Sequence, residues 1–342
     1  MTNRNLCGRW SCAGRFSTIA SVTTQDDTRT SPAYRFSGHQ TFALRIAWLS
    51  KAAQAIEAGK DPFGNPLTGV VELGLGKVMV EALRCWVEAY GVAERRDSAW
   101  VLTDEGAAIF GKHGHDRYLE DGQTLWWLHW RISTLRQAPF FAWELLVNRW
   151  NAPTFTPSEV LREFAREAER TSRDLSDVTA KQHLDVWIRT YCAPREGRVL
   201  EDGIDSPLTA LGFVRQVGER EGANRREPLY AFDQTPKRAI TQALFHYCLT
   251  DWWLHRDAKE ETAPFRDVVT APLSPGRVLR MGEAEVRDRL LKLQADPTFP
   301  FQLAESLNQY QLRQRHNPMA LSALLADAYR TPTPLVVEAA NV

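Results

Sequence analysis

His39, Gln40, Thr41 and Arg45 fall close together in the run Phe36-Ser37-Gly38-His39-Gln40-Thr41-Phe42-Ala43-Leu44-Arg45. An imidazole moves a proton near neutral pH. A Gln amide can bond a base edge, and a guanidinium can hold a phosphate through paired hydrogen bonds. The same run also reads as a helix opening in which His39 is a cap and Arg45 pairs with a carboxylate. A second run, Gly74-Leu75-Gly76-Lys77-Val78, has two glycines and a lysine but Val78 where a nucleotide-phosphate loop needs Ser or Thr. A helix starting there offers free N–H groups and a partial positive charge to an anion. Lys77 and Arg84, seven residues apart, share one helical face, either as phosphate contacts or as a solvated surface. The third run, His113-Gly114-His115-Asp116-Arg117-Tyr118-Leu119-Glu120-Asp121, is the densest collection of metal-ligand types in the chain. Asp116 and Glu120 would stand one turn apart on a helix and, with Asp121, could contribute to a site for Mg²⁺ or Mn²⁺. The alternative is a surface loop whose acids favour the dipole of the next helix.

The elements that must position these residues follow from apolar spacing and punctuation. A helix is predicted over 40–58, broken by Gly59, Pro62, Gly64, Asn65 and Pro66. Val70 to Leu73 leads into a helix from Gly76 to Tyr90, ended by Gly91. Val92-Ala93-Glu94 and Trp100-Val101-Leu102 pair as a hairpin around Arg96-Asp97-Ser98, and Thr103 caps the next helix. Helix, two-stranded wing, helix is the order of a winged helix. Further helices are expected over 123–135 and 140–150. The order recurs: Thr156-Pro157-Ser158-Glu159 opens a helix to Arg170, and a second helix covers 176–191. Strands at 213–217 and 229–232 flank a charged loop, and a helix over 236–254 closes the unit. From Ala263 to Tyr329 short helices are expected, broken by Pro264, Pro272, Pro275, Pro297 and Pro318. The predicted fold is mainly α with small β hairpins, two winged-helix-like modules and a C-terminal helical region. Its expected divisions are a Ser/Thr-rich tail (1–33), an N-terminal winged-helix domain (34–152), a second module (153–256) and the helical remainder (257–342).

Whole-chain properties limit the choices. The 342 residues suffice for more than one domain, and 44% hydrophobic with 25% charged content is that of a globular protein. The 42 basic and 42 acidic side chains cancel, which argues against a strong autonomous DNA binder but not against a local basic face. No apolar run is long enough for a membrane helix, and the first residues lack the core of a secretory signal, so a cytoplasmic protein is expected. Cys85, Cys192 and Cys248 sit beside aromatic residues and read as buried thiols, while Cys7 and Cys12 have no second pair to complete a zinc site. Trp126, Trp127, Trp130, Trp143 and Trp150 have the spacing of helix packing rather than of base stacking. Glu201-Asp202-Gly203-Ile204-Asp205-Ser206-Pro207-Leu208 reads as a capped turn.

The run from Phe36 to Arg45, with Trp48 and Lys51, resembles the opening signature of a bacterial defence-island family catalogued as a domain of unknown function, the family that includes SspB. Leu73-Gly74-Leu75-Gly76-Lys77, Met79, Trp86, Leu102-Thr103, Tyr118-Leu119-Glu120-Asp121 and Thr124-Leu125-Trp126 are similar to its later blocks. So are Glu201-Asp202 and Ser206-Pro207-Leu208. The resemblance spans Phe36 to the C-terminal third. It implies a DNA-nicking subunit of a single-stranded DNA phosphorothioation system acting in anti-phage defence. The implied partners are double-stranded DNA, a PAPS-reductase-like sulfur-transfer enzyme and an ATPase component. Under that reading, as a metal-dependent nicking endonuclease, Asp116, Glu120 and Asp121 are the metal set. His39, Glu120 and Asp121 are the catalytic candidates, and Gln40, Arg45, Lys77 and Arg84 the DNA contacts. Two alternatives remain: a non-catalytic adaptor that positions the sulfur-transfer enzyme on DNA, and a transcriptional regulator of the locus.

Overall fold

The computed structural model describes residues 33–193, 206–222, 226–257, 259–306, 309–330 and 333. The expected N-terminal tail, Cys7, Cys12 and the acidic residues Glu201, Asp202 and Asp205 lie outside the described residues.

The chain opens with helix α1 (Trp48–Glu57), α2 (Pro66–Leu73) and α3 (Lys77–Ala89), followed by the antiparallel hairpin β1 (Ala93–Arg96) and β2 (Ala99–Leu102) and then α4 (Asp104–Phe110). Local chemistry sets these boundaries. The Asn65 side chain accepts the Leu67 N–H with Pro66 in the first turn, and Gly74 ends α2 in the left-handed region. Gly91, at φ 66°, turns the chain after α3. Thr103 Oγ1 accepts the Gly106 N–H at 2.9 Å and starts α4.

Helix α5 (Gly122–Ser133) is buried almost all round and carries Trp126, Trp127 and Trp130 into the core. Helix α6 (Phe141–Trp143) continues as a π-helix over Glu144–Arg149. Next come β3 (Thr154–Phe155), α7 (Pro157–Arg170) with a Thr156/Glu159 capping box, and α8 (Asp177–Tyr191). A 3₁₀ turn (Pro207–Leu211) capped by Ser206 precedes β4 (Val214–Glu221), β5 (Arg226–Phe232) and α9 (Gln242–Leu254). The remainder is β6 (Thr262–Pro264), α10 (Phe265–Thr270), α11 (Pro275–Val278), α12 (Glu283–Leu293), β7 (Phe301–Ser306), β8 (Gln309–Gln314) and α13 (Leu321–Ala328).

The fold is mainly helical with small antiparallel sheets, and the helix–helix–hairpin–helix order predicted for 156–254 is present as α7, α8, β4–β5 and α9. One hydrophobic core runs from Tyr34 to Ala328, rich in aromatic contacts such as Trp86–Trp143 and Trp187–Tyr191. Among the described residues no helix is long and apolar enough to cross a membrane.

Three expectations about elements are corrected. The helix predicted from Gln40 begins only at Trp48: Gly38, Gln40 and Thr41 have φ of 113°, 48° and 64°, and Phe42, Leu44 and Ile46 follow a two-residue spacing. Pro66, read as a breaker, is the first residue of α2, because a proline in the first turn loses no helical hydrogen bond. The C-terminal region, read as helices alone, contains the three-stranded sheet β6–β8–β7. Its strand Gln309–Gln314 is dominated by Gln and Arg and carries no strand-like apolar run.

Candidate nucleic-acid interface

Helix α3 is two-faced. Val80, Leu83, Trp86 and Val87 are buried, whereas Lys77, Val78, Arg84 and Glu88 are exposed. Its N-cap, Gly76, supplies no side-chain hydrogen bond, so the first-turn N–H groups have no side-chain cap. The turn Gly74-Leu75-Gly76 is held from below by Leu75, which is buried, and by Lys51 Nζ, which donates to Leu73 O at 3.2 Å. The hairpin beside α3 exposes Arg95 and Arg96. These cations are partly answered nearby: Arg84 Nε is 3.2 Å from Glu88, Arg96 Nε is 2.6 Å from Glu94, and Arg84 lies over the Trp100 ring at 5.9 Å. Lys77 has no such partner among the described residues.

The signature loop packs against the opposite side of α3. His39 is 2% exposed; its ring stacks on Trp86 and on His183, and its Nε2 lies 3.0 Å from His183 Nδ1. His183 Nε2 accepts the Ala142 N–H at 3.0 Å. Burial, reinforced by Arg189 and Arg35, lowers the His39 pKa to about 4. Burial likewise lowers that of His183, with a further contribution from His39. Trp86 Nε1 donates to Phe42 O and Arg189 Nη2 to Thr41 O. These anchors hold Gln40 and Thr41 at the surface in the left-handed region, a conformation costly for non-glycine residues. Arg45 is half-buried and lies over Phe42 and Trp48 at 5.5 and 5.8 Å. The structure therefore brings His39 and its loop onto α3, with His39 as a neutral, interior group.

The 116–121 turn lies elsewhere. Among the described residues no hydrogen bond, ion pair or ring contact joins it to His39, Lys77 or Arg84. Asp116 is buried, and its carboxylate accepts the N–H groups of Glu120 (2.7 Å) and Asp121 (3.0 Å) and the Thr124 hydroxyl (2.5 Å). Asp121 is the N-cap of α5, accepting the Gln123 N–H at 2.8 Å, and its second oxygen accepts the Thr333 N–H at 3.1 Å. Glu120 is exposed. Among the described residues no group of three or more His, Cys, Asp or Glu is arranged to hold a metal ion. In the turn the oxygens of Asp116 and Asp121 accept the hydrogen bonds that close it and start α5. His183 and Arg189, which complete the His39 loop, carried no signal in the sequence: His183 sits 144 residues from its partner, inside an ordinary amphipathic helix.

A family model described as "protein of unknown function (DUF4007)" matches residues 36–329. The chain belongs to this family. No curated protein gives a significant match. Among solved structures, the crystal structure of magnesium ion-bound SspB matches with a TM-score of 0.74 at 23% identity, covering 86% of this chain and 88% of that one. A second SspB crystal structure matches with a TM-score of 0.72 at the same identity and coverage. At this identity the likeness establishes a shared fold across most of both chains. The magnesium belongs to that SspB.

Proposed function

We propose that this chain is a DNA-engaging subunit of a bacterial DNA phosphorothioation system acting in anti-phage defence. It would meet duplex DNA through a winged-helix unit made of α2, the Gly74–Gly76 turn, α3 and the β1–β2 hairpin. The observation that carries the reading is the uncapped, glycine-preceded N-terminus of α3 with Lys77 exposed beside it. Such a terminus presents N–H groups and a partial positive charge to a phosphate, and Lys77 adds a full charge. Arg84 and the hairpin's Arg95 and Arg96 extend the contact, and Gln40 and Arg45 belong to the loop braced against the same helix. The SspB fold supports the placement in a phosphorothioation system, with a PAPS-reductase-like sulfur-transfer enzyme and an ATPase as working partners.

Two roles are compatible with DNA engagement. The family resemblance implies nicking of the backbone before sulfur insertion. The adaptor role, in which the chain positions the sulfur-transfer enzyme and hydrolyses nothing, is favoured by one observation: Asp116 and Asp121 commit their oxygens to backbone and hydroxyl donors. Supercoiled plasmid incubated with the purified protein, in Mg²⁺ or Mn²⁺ and in EDTA, separates the two. Metal-dependent open-circle product establishes the nickase. DNA binding that requires Lys77, with no open circle under any condition, establishes the adaptor. Absence of both binding and nicking sinks the DNA-engaging reading altogether.

A further inference from the structure

Among the described residues several buried or half-buried arginines have a carboxylate beside them. Arg131 meets Glu105 at 3.1 Å, Arg289 meets Glu285 at 3.1 Å, and Arg287 meets Glu283 at 3.0 Å. Arg277 and Arg280 do not. Both line one cavity of about 440 Å³ between the end of the π-helix and the start of α12, walled also by Asn151, Gln234, Met281, Gly282 and Glu283, whose carboxylate pairs with Arg287. Among the described residues neither guanidinium forms an ion pair. Each instead donates to main-chain carbonyls at the end of the π-helix. Arg277 Nε and Nη2 reach Asn148 O (3.1 Å) and Trp150 O (2.9 Å), and Arg280 Nη2 reaches Leu146 O (2.9 Å).

Those carbonyls offer partial negative charge against two full positive ones. Arg280 also lies over the Phe232 ring at 3.5 Å, and its Nε is buried with no acceptor. Burial, and then the neighbouring Arg277, lower the Arg280 pKa to about 9, and burial lowers that of Arg277. If capping the π-helix were the whole role of these side chains, neutral amides could donate the same bonds without two uncompensated charges. A half-buried charge with no ion-pair partner favours an anion beside it, and this cavity holds two such charges.

The wall also carries the start of α12. Gly282 is the N-cap of α12 and supplies no side-chain hydrogen bond. The two first-turn glutamates of α12 are committed elsewhere: Glu283 to Arg287 at 3.0 Å, and Glu285 to Arg289 and to the Lys237 N–H. Helix α12 thus begins at the wall of the cavity that holds the two guanidiniums, and a helix N-terminus beside arginines suits an oxyanion. The volume lies in the range of small-molecule sites.

We propose that this cavity binds a phosphate group, with Arg277 and Arg280 as its counter-charges and the N-terminus of α12 as a further donor. The site is separate from the α3 surface and stands whether or not α3 engages DNA. The phosphate could belong to a free anion or nucleotide, or to a nucleic-acid backbone.

The test is titration of the full-length protein with inorganic phosphate at constant ionic strength, read by calorimetry and by thermal unfolding, with sodium chloride as control. Saturable binding by phosphate is expected, with the Kd raised at least tenfold by Arg277→Gln. Gln234→Glu adds a carboxylate to the cavity wall without removing an arginine. It should raise the unfolding temperature in the absence of phosphate and abolish the response to phosphate, so the proposal remains testable if an arginine variant fails to fold. Dimethyl phosphate and adenosine monophosphate then distinguish the source. Equal affinity for the diester points to a nucleic-acid backbone, and preference for the monoester to a free nucleotide or terminal phosphate. Absence of phosphate-specific binding, or binding indifferent to both Arg277→Gln and Gln234→Glu, overturns the proposal.

Discussion

His39 Nε2 and His183 Nδ1 lie 3.0 Å apart with their rings nearly parallel, and the pair has fewer lone pairs than its surroundings request. The Ala142 N–H points at His183 Nε2 at 3.0 Å and the Thr41 N–H at His39 Nδ1 at 3.3 Å. If both outer nitrogens accepted, both inner ones would carry protons and repel. The shorter Ala142 contact fixes the His183 proton on Nδ1, which donates to His39 Nε2. The His39 proton then sits on Nδ1, and the exposed Thr41 N–H is left to water. His39 thus acts as the interior anchor of the strained loop that holds Gln40 at the surface.

This anchor makes the protein acid-sensitive. The pKa values of His39, His129 and His246 are each lowered to about 4, first by burial, from an ordinary 6.5. Between those values the unfolded chain takes up protons that the native one refuses, so stability is full above pH 6.5 and falls as pH drops toward 4. A shift of this size corresponds to about 3 kcal/mol for one such imidazole. Urea unfolding across pH 4–8 should show the decline, and His39→Gln should lower stability at pH 7 while flattening the slope. A slope identical in the variant would remove His39 from the account.

Lys77→Ala and Arg84→Ala are expected to weaken duplex DNA binding irrespective of sequence. Removing one phosphate-binding cation should reduce the slope of log K against log salt by about 1. Because Arg84 shares its charge with Glu88 at 3.2 Å, Lys77→Ala should have the larger effect, and Glu88→Gln should tighten binding. Fluorescence anisotropy over a salt series measures all three. An unchanged slope in Lys77→Ala would take the N-terminus of α3 out of the interface.

Gly76→Asp separates fold from function at the same spot. Gly76 has φ −62° and ψ 154°, open to any residue, and a Cβ there would meet nothing nearer than Met79 Sδ at 4.0 Å. An N-cap aspartate satisfies a first-turn N–H and complements the helix dipole, worth about 1 kcal/mol of stability. The same carboxylate would repel a phosphate. A higher unfolding temperature with weaker DNA binding is the expected pair of results. Equal or tighter DNA binding would show that the helix end faces something else.

The carboxylates of the 116–121 turn should differ sharply from one another. Asp116→Ala leaves the Glu120 and Asp121 N–H groups without their acceptor and the Thr124 hydroxyl with Tyr329 alone, with an expected loss of about 3 kcal/mol. Glu120→Ala, at an exposed position, should stay within about 0.5 kcal/mol of wild type. Chemical denaturation measures both. Nicking that vanishes in a folded Glu120→Ala/Asp121→Ala variant would assign the turn a catalytic role.

Short-range chemistry made much of this protein legible in its sequence. Gly91 after α3, Thr103 before α4 and the Thr156/Glu159 box before α7 act within four residues of themselves, so their effects are written locally. The inward stripe of Val80, Leu83 and Trp86 likewise placed Lys77 and Arg84 outside without further information. Tertiary structure decided what those signals could not. The helix expected from Gln40 gave way to a left-handed loop in which His39 is buried between Trp86 and His183, partners far away in the chain. The edge-rich C-terminal sheet formed from Gln- and Arg-bearing strands, one of which pairs with a segment far away in the chain. Asp116 and Asp121 were ambiguous as residue types, since a carboxylate serves a metal ion and a backbone N–H equally well. Only the folded turn, which aims N–H groups at both, assigned their oxygens.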